Sequence, residues 1–263
     1  VAKFRAGRRL WAKIMKERYG AKSPKAMQLR MIAGGGGAGL TVEQPLNNLV
    51  RSAYYALASA LSGTQTMALC SYDEAYTIPS EQAAKLSLRT MQILMTEIGA
   101  CDTVDPLAGS YFVESTTDEM EQRIVALMDR LDAEGGIVKA IAEGRVQADV
   151  SRQAYEQKQR VEAGDSQKVG VNCFVDDEKG PEVEFHPYRR EEAEKQIARL
   201  AKVRAERNTA DVERTLEAVR AAAEGGQNVM PAVIAAVKAY ATVGEICRAL
   251  RQVFGTYVEP VRF

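Results

Sequence analysis

The run Gly34-Gly35-Gly36-Gly37-Ala38-Gly39 constrains the fold more than any other stretch of this chain. Consecutive residues with almost no side chain can continue neither a strand nor a helix at low entropic cost, so a loop must form there. Before it, alternation at Met27, Leu29 and Met31 reads as a strand. After it, Thr41 with Gln44 fits a capping box and Pro45 suits a helix start. Leu46, Leu49, Val50, Ala53, Leu57 and Leu61 then form a buried stripe that Gly63 stops.

The strand, loop and helix pattern repeats. Residues 64–69 read as a second strand, after which Pro79 and Ser80 introduce a helix bearing Leu86, Ile93 and Leu94 that ends at Gly99. Residues 101–104 read as a third strand, followed by a turn and a helix capped near Thr117 and lined by Met120, Ile124, Leu127 and Leu131. Beyond Gly135-Gly136, helices are expected over 137–143 and 150–163, then a fourth strand over 169–174. Upstream, Phe4, Leu10, Trp11, Ile14 and Met15 recur at helical spacing, with a basic face expected to meet solvent.

Such alternation makes this an α/β chain with a parallel sheet and helices outside, either a barrel or a doubly wound fold. The acidic, glycine- and proline-bearing loop at 176–181 marks a boundary, giving a region 1–176 and a mainly helical extension 177–263. Three or four parallel strands cannot close an eight-stranded barrel by themselves.

The 263 residues, 46% of them hydrophobic, suffice for a sizeable core. Lys plus Arg and Asp plus Glu both total 35 and no basic block alternates with aromatics, which argues against a nucleic-acid partner. No long apolar run points to a membrane. Cys70, Cys101, Cys173 and Cys247 form no CxxC pair; they suit reduced thiols in the cytoplasm, and no metal-ligand set is assigned. The chain opens on Val1 inside a helical pattern, as if its natural beginning lay upstream.

Among candidate sites, the stretch from Thr64 to Tyr76 runs from a strand into Asp73 and Glu74, flanked by Tyr72 and Tyr76. Strand ends are where barrels bind ligands; the alternative is a solvated turn in which the two carboxylates cap the next helix. Gly34, Gly36 and Gly39 satisfy a dinucleotide fingerprint, but the acidic residue expected roughly 20 positions on is missing, which leaves a nucleotide-dependent oxidoreductase a distant reading. Leu40 stands where a phosphate-binding loop needs lysine. The sole histidine, His186, precedes Pro187 and reads as a surface loop residue.

In order, Lys3-Phe4-Arg5-Ala6 with Arg8-Arg9-Leu10-Trp11, Asn47-Asn48-Leu49-Val50-Arg51, Gly63-Thr64-Gln65-Thr66, Ser71-Tyr72-Asp73-Glu74-Ala75, Asp105-Pro106 with Gly109-Ser110-Tyr111, and Val169-Gly170-Val171-Asn172 resemble the cobalamin-dependent acyl-CoA mutases, the methylmalonyl-CoA mutase family. The resemblance is to the C-terminal half of the large subunit and is close to about Phe174, looser in the helical tail. It implies the C-terminal part of a TIM (β/α)8 barrel followed by that tail, an isomerase that rearranges the carbon skeleton of an acyl-CoA, and adenosylcobalamin as cofactor. By matching position, Gln65 and Thr66 would touch the coenzyme A substrate and Glu74 the adenosine ribose. A carboxylate suits that last role because it accepts from two vicinal hydroxyls.

Departures from the family pattern fall at Ile32 and Gly34, where members usually carry histidine and glutamine, and at Cys70, where asparagine is usual. Ile32 and Gly34 would then line an altered acyl pocket, and Cys70, with Glu74, would belong to the cofactor side. Lost donors and added room favour an acyl group other than methylmalonyl, and a bulkier one. The resemblance also implies a small cobalamin-binding subunit and an N-terminal barrel half holding the catalytic residues, so the chain alone is expected to be inactive. The rival reading is a non-catalytic, mutase-like assembly subunit.

Overall fold

The structure, a computed structural model, describes residues 1–34, 36–100, 102–176 and 183–260. They fall into two units, Val1–His186 and Pro187–Pro260, each with its own packing.

In the first unit, α1 (Ala2–Glu17) leads to a single 3-10 turn at Pro24–Met27 and then to strand β1 (Ile32–Gly34). The expected strand over 27–31 is thus displaced towards the glycines, because Pro24 starts a turn that carries the chain through Met27. Gly34 itself takes part in the strand, paired with Ala68. Helix α2 (Asn47–Leu61) precedes β2 (Thr66–Ala68), which lies parallel to β1 with Ile32 opposite Thr66 and Ala33 opposite Met67.

Because registered residues of parallel strands share a face, Ile32, Gly34, Thr66 and Ala68 stand together on the exposed side. Ala33 is buried on the other side, and Met67 packs against a core of Ala56, Leu69 and Leu94 supplied by α2, the end of β2 and α3 (Glu81–Thr96). Helices therefore cover one face of the strand pair. Ser80 caps α3 as expected, accepting from the amide of Ala83 at 3.2 Å.

Helix α4 (Tyr111–Ala133) begins well before Thr117. Its cap is Ser110, and Thr117 lies buried in the helix with its hydroxyl donated to the Val113 carbonyl at 2.6 Å. The expected start of α2 is also corrected. Thr41 donates its hydroxyl to the Glu43 carbonyl at 2.8 Å, while Gln44 sits at φ 45° and sends its amide to the Phe174 carbonyl at 2.9 Å, so neither caps the helix.

The basic face of α1 is engaged rather than solvated. Arg5 pairs with Asp105 and Glu114, Arg9 with Asp118 and Glu121, and Lys13 with Glu121. Spacing of four residues on α1 meets spacing of three to four on α4, so two stripes of opposite charge face each other. Lys13 and Arg9 hold the Glu121 carboxyl below its ordinary range; the Gly109 amide and then Arg5 do the same for Glu114.

Helices α5 (Ile137–Ala142) and α6 (Arg145–Glu162) follow, α6 starting earlier than expected. Among the described residues, 102–104 form bends rather than a third strand, with Cys101 outside them. Residues 169–174 form a tight turn closed by Gly170 N–H donating to the Cys173 carbonyl at 2.8 Å. Asn172 stabilises that turn by accepting from the Lys168 amide at 2.6 Å and donating to the carbonyls of Val161 and Ser166. A side chain that satisfies its own neighbourhood leaves no ladder for a strand. The described residues thus contain a small parallel sheet among helices, compatible with α/β; they do not form a closed barrel. From residue 177 to 182 the expected boundary loop lies outside the described residues.

The second unit comprises α7 (Arg190–Glu206), α8 (Thr209–Glu224), α9 (Met230–Lys238) and α10 (Val243–Phe254), the helical extension in outline. Val219, Ala236, Ile246 and Ala249 form its core. Arg207 makes a two-pronged ion pair with Glu245 at 2.6 and 2.7 Å, and Glu245 closes a capping box with Thr242. Among the described residues no helix is long and apolar enough to cross a membrane.

Candidate functional site

The predicted residues occupy two ends of the same strand pair. At the N-terminal end, Ile32, Gln65 and Thr66 line one groove of about 900 Å³ together with Arg8, Gln28 and Arg30. Gln65 is set by two bonds, accepting from the Met31 amide at 3.0 Å and donating to the Gly63 carbonyl at 3.2 Å. Gly34 does not line this groove; it ends β1.

At the C-terminal end, Cys70 sits beside Glu74 and against Gly37. Burial, and then the neighbouring Glu74 carboxylate, push the Cys70 thiol up to about 11, so it stays protonated near neutrality. Glu74 is exposed and has oxygens to spare, whereas Asp73 is fully buried. One Asp73 oxygen accepts from the Ser80 amide at 2.8 Å, making it the turn's structural carboxylate. The four steps along the chain from Thr66 to Cys70 separate the two clusters by roughly 13 Å for extended backbone.

The loops that hold these ends are built from unusual backbone. Gly36 adopts φ 77°, and any Cβ there would run into the ring of Tyr55 on α2. Sequence reasoning missed the residue that ties the loops together. Asn48, wholly buried on α2, donates to the carbonyls of Thr41 at 2.8 Å and Tyr72 at 2.9 Å and accepts from the Thr41 amide at 3.1 Å. Arg51 adds to it, reaching the Asn48 side-chain oxygen at 2.8 Å and the Val169 carbonyl at 2.7 Å. The available signal was the small and polar set Asn48, Ser52 and Ala56 at helical spacing, the face that α2 buries. His186 is an exposed loop residue, its Nδ1 lying 3.1 Å from the Pro79 carbonyl.

Residues 1–256 match the family model described as methylmalonyl-CoA mutase. The chain belongs to the methylmalonyl-CoA mutase family. Among its relatives, the 2-hydroxyisobutanoyl-CoA mutase large subunit of Aquincola tertiaricarbonis is 44% identical over 260 residues, covering 98% of this chain and 46% of the relative. Methylmalonyl-CoA mutase of Escherichia coli K12 is 35% identical over 264 residues, 99% of this chain and 36% of the relative. Mitochondrial methylmalonyl-CoA mutase of Homo sapiens is 35% identical over 259 residues, 98% of this chain and 34% of the relative. This mutase-family chain thus spans between about a third and a half of the length of these relatives.

Proposed function

We propose that the chain forms part of the substrate-binding subunit of an adenosylcobalamin-dependent acyl-CoA mutase, an isomerase, and contributes strands to a TIM barrel completed by the rest of the enzyme. The observation that carries this reading is the polarity of the β1–β2 pair. Its exposed face runs from the Gln65–Thr66 groove at one end to Cys70 and Glu74 at the other, with helices behind it. A barrel lumen needs such a face, and ligands at opposite mouths would meet along it.

In this reading Gln65 and Thr66 hold the coenzyme A carrier, while Ile32 and Gly34 shape the acyl pocket. Ile32 is 68% exposed on that face and offers no donor, and Gly34 offers neither donor nor bulk. A second carboxylate on the acyl group would find no hydrogen bond there, which favours an uncharged branched acyl group over methylmalonyl. Similarity to a relative whose name specifies a 2-hydroxyisobutanoyl group supports this direction.

Glu74 fits the cofactor's ribose. Its carboxylate is exposed beside the Cys70 thiol and keeps acceptor capacity for vicinal hydroxyls. When bound, adenosylcobalamin supplies one-electron chemistry through its cobalt–carbon bond. The chain's own part is to position the thioester, to hold the ribose and to keep water from the apolar face. The reading also includes a separate small cobalamin-binding subunit, catalytic residues in the other barrel half and action in the cytoplasm; a relative named as a large subunit speaks for the subunit division alone.

The test is kinetic, on the assembled enzyme. Glu74→Ala should raise the KM for adenosylcobalamin about tenfold and leave that for acyl-CoA near wild type; Gln65→Ala should do the reverse. Indifference of both constants to both changes would support a non-catalytic assembly role instead. A branched, uncharged acyl-CoA should turn over faster than methylmalonyl-CoA, and equal turnover would remove the proposed pocket.

A further inference from the structure

The chain leading up to Glu74 is pinned by side chains of the two helices behind it. Ser87 of α3 donates its hydroxyl to the Leu69 carbonyl at 2.8 Å, Ser52 of α2 donates to the Cys70 carbonyl at 3.1 Å, and Asn48 of α2 donates to the Tyr72 carbonyl at 2.9 Å. The next residue is held the other way round. Its own side chain reaches out, the Asp73 carboxylate accepting from the Ser80 amide at the cap of α3 at 2.8 Å.

Asp73 also closes the far side of the turn. The amides of Tyr76 and Thr77 donate to its carbonyl at 2.8 and 3.1 Å, and the Glu74 amide donates to the Ser71 carbonyl at 3.1 Å. Ser71, Asp73 and Ser80 are all buried, so water does not compete for these bonds, whereas Glu74 is exposed at the tip. The second Asp73 oxygen meets no donor among the described residues, which leaves the Ser80 amide as the single anchor of that side chain.

A carboxylate that accepts from two vicinal hydroxyls at once has to be held within about 0.5 Å of its working position, which an exposed side chain achieves only on a fixed backbone. We propose that Asp73 is a positioning residue: by tying the turn to the Ser80 amide it aims the Glu74 carboxylate, and it affects use of the cofactor only through Glu74, a role that rests on the reading of Glu74 as the ribose contact. Asp73 itself is wholly buried and so closed to any ligand. Cys70 reports the aim with no cofactor present. Part of the rise of its thiol to about 11 comes from the Glu74 carboxylate beside it, so a displaced carboxylate leaves a larger thiolate fraction and a faster alkylation.

In the assembled enzyme, before cobalamin is added, iodoacetamide labelling at pH 8 would be read at Cys70 by peptide mass mapping for wild type, Asp73→Ala, Asp73→Asn, Glu74→Ala and the double variant Asp73→Ala/Glu74→Ala. The same proteins, loaded, give kcat and the KM values for adenosylcobalamin and acyl-CoA. Asp73→Ala should speed labelling about threefold and raise the KM for adenosylcobalamin about fivefold, with the KM for acyl-CoA near wild type. Asp73→Asn keeps an oxygen for the Ser80 amide and should recover most of both effects. The double variant should match Glu74→Ala in labelling and in KM, because the aim of an absent carboxylate does not matter. A turn that is merely loosened exposes Cys70 whatever stands at position 74, so an equal acceleration by Asp73→Ala in the Glu74→Ala background would overturn the proposal, as would a wild-type labelling rate in Asp73→Ala. Should Asp73→Ala fail to assemble, Asp73→Ser, too short to reach the Ser80 amide, gives the same comparison. If Glu74→Ala raises the KM for adenosylcobalamin and Asp73→Ala does not, the positioning role is lost and the ribose reading stands; if Glu74→Ala changes neither labelling nor KM, both fall.

Discussion

Replacing Asn48 by alanine should cost more than any surface change in the chain. Asn48 is fully buried and makes three bonds to backbone and one to Arg51. In Asn48→Ala the Thr41 amide and carbonyl lose their partner in a place where Thr41 is only 5% exposed, and the Tyr72 carbonyl loses its bond as well. An unsatisfied buried group costs about 1–3 kcal/mol, and these groups share one small cavity that water would partly fill, so a total near 3 kcal/mol is expected. Asn48→Asp should be no better. It keeps the two acceptor bonds but turns a carboxylate oxygen towards the carbonyls of Thr41 and Tyr72. Urea unfolding of the full chain, with the m-value checked for constancy, gives the comparison. A shift below about 1 kcal/mol for Asn48→Ala would mean that the loops are held by something else.

Other consequences are as direct. Gly63→Ala combines a left-handed φ of 71° with a collision with Arg8, so thermal unfolding should show a loss of about 1–3 kcal/mol, partly recovered when Arg8 is also shortened. Arg207, and after it the Thr242 cap, lower the Glu245 carboxyl from 4.5 to about 2. Being depressed in the folded state, it contributes stability above about pH 4.5 that disappears as pH falls towards 2, and Glu245→Gln should flatten that dependence in denaturation of the α8–α10 unit. Cys70, with its thiol raised to about 11, should react with iodoacetamide far more slowly at pH 8 than exposed Cys247; Glu74→Gln should speed it, and equal rates in the wild type would contradict the Cys70–Glu74 contact.

Much of the fold was legible in local pattern. The helices α1, α2 and α3, the Ser80 cap and the helical tail follow from periodicity and capping chemistry, which act over a few residues, but the buried face of α2 does not: Asn48, Ser52 and Ala56 are buried, whereas Leu46, Val50 and Ala53 of the expected stripe are exposed. What misled was competition at short range. Residues 169–174 look like an apolar strand, yet Asn172 and Gly170 offer the backbone a self-contained turn, and no periodicity registers that. Thr41 and Gln44 have the spacing of a capping box, but their hydrogen bonds are claimed by Glu43 and by Phe174, a residue 130 positions away. The α1–α4 charge seam was likewise invisible, because the acids that meet Arg5, Arg9 and Lys13 lie more than 90 positions downstream.

The candidate site was legible only in part for a related reason. The resemblance, by matching position, points to Gln65, Thr66, Cys70 and Glu74; the structure puts the first two at one end of the β1–β2 pair and the last two at the other. Asn48 acts through partners on other elements, and its importance appears only when its burial and those partners are known.

The most direct test of the account is a crystal structure of the assembled enzyme with an acyl-CoA and adenosylcobalamin bound. The pantetheine should run along the face bearing Ile32, Gly34, Thr66 and Ala68, Gln65 and Thr66 should lie within hydrogen-bond reach of the carrier, and the Glu74 carboxylate should accept from the adenosine ribose. A carrier bound away from that face, with Glu74 turned to solvent, would contradict it.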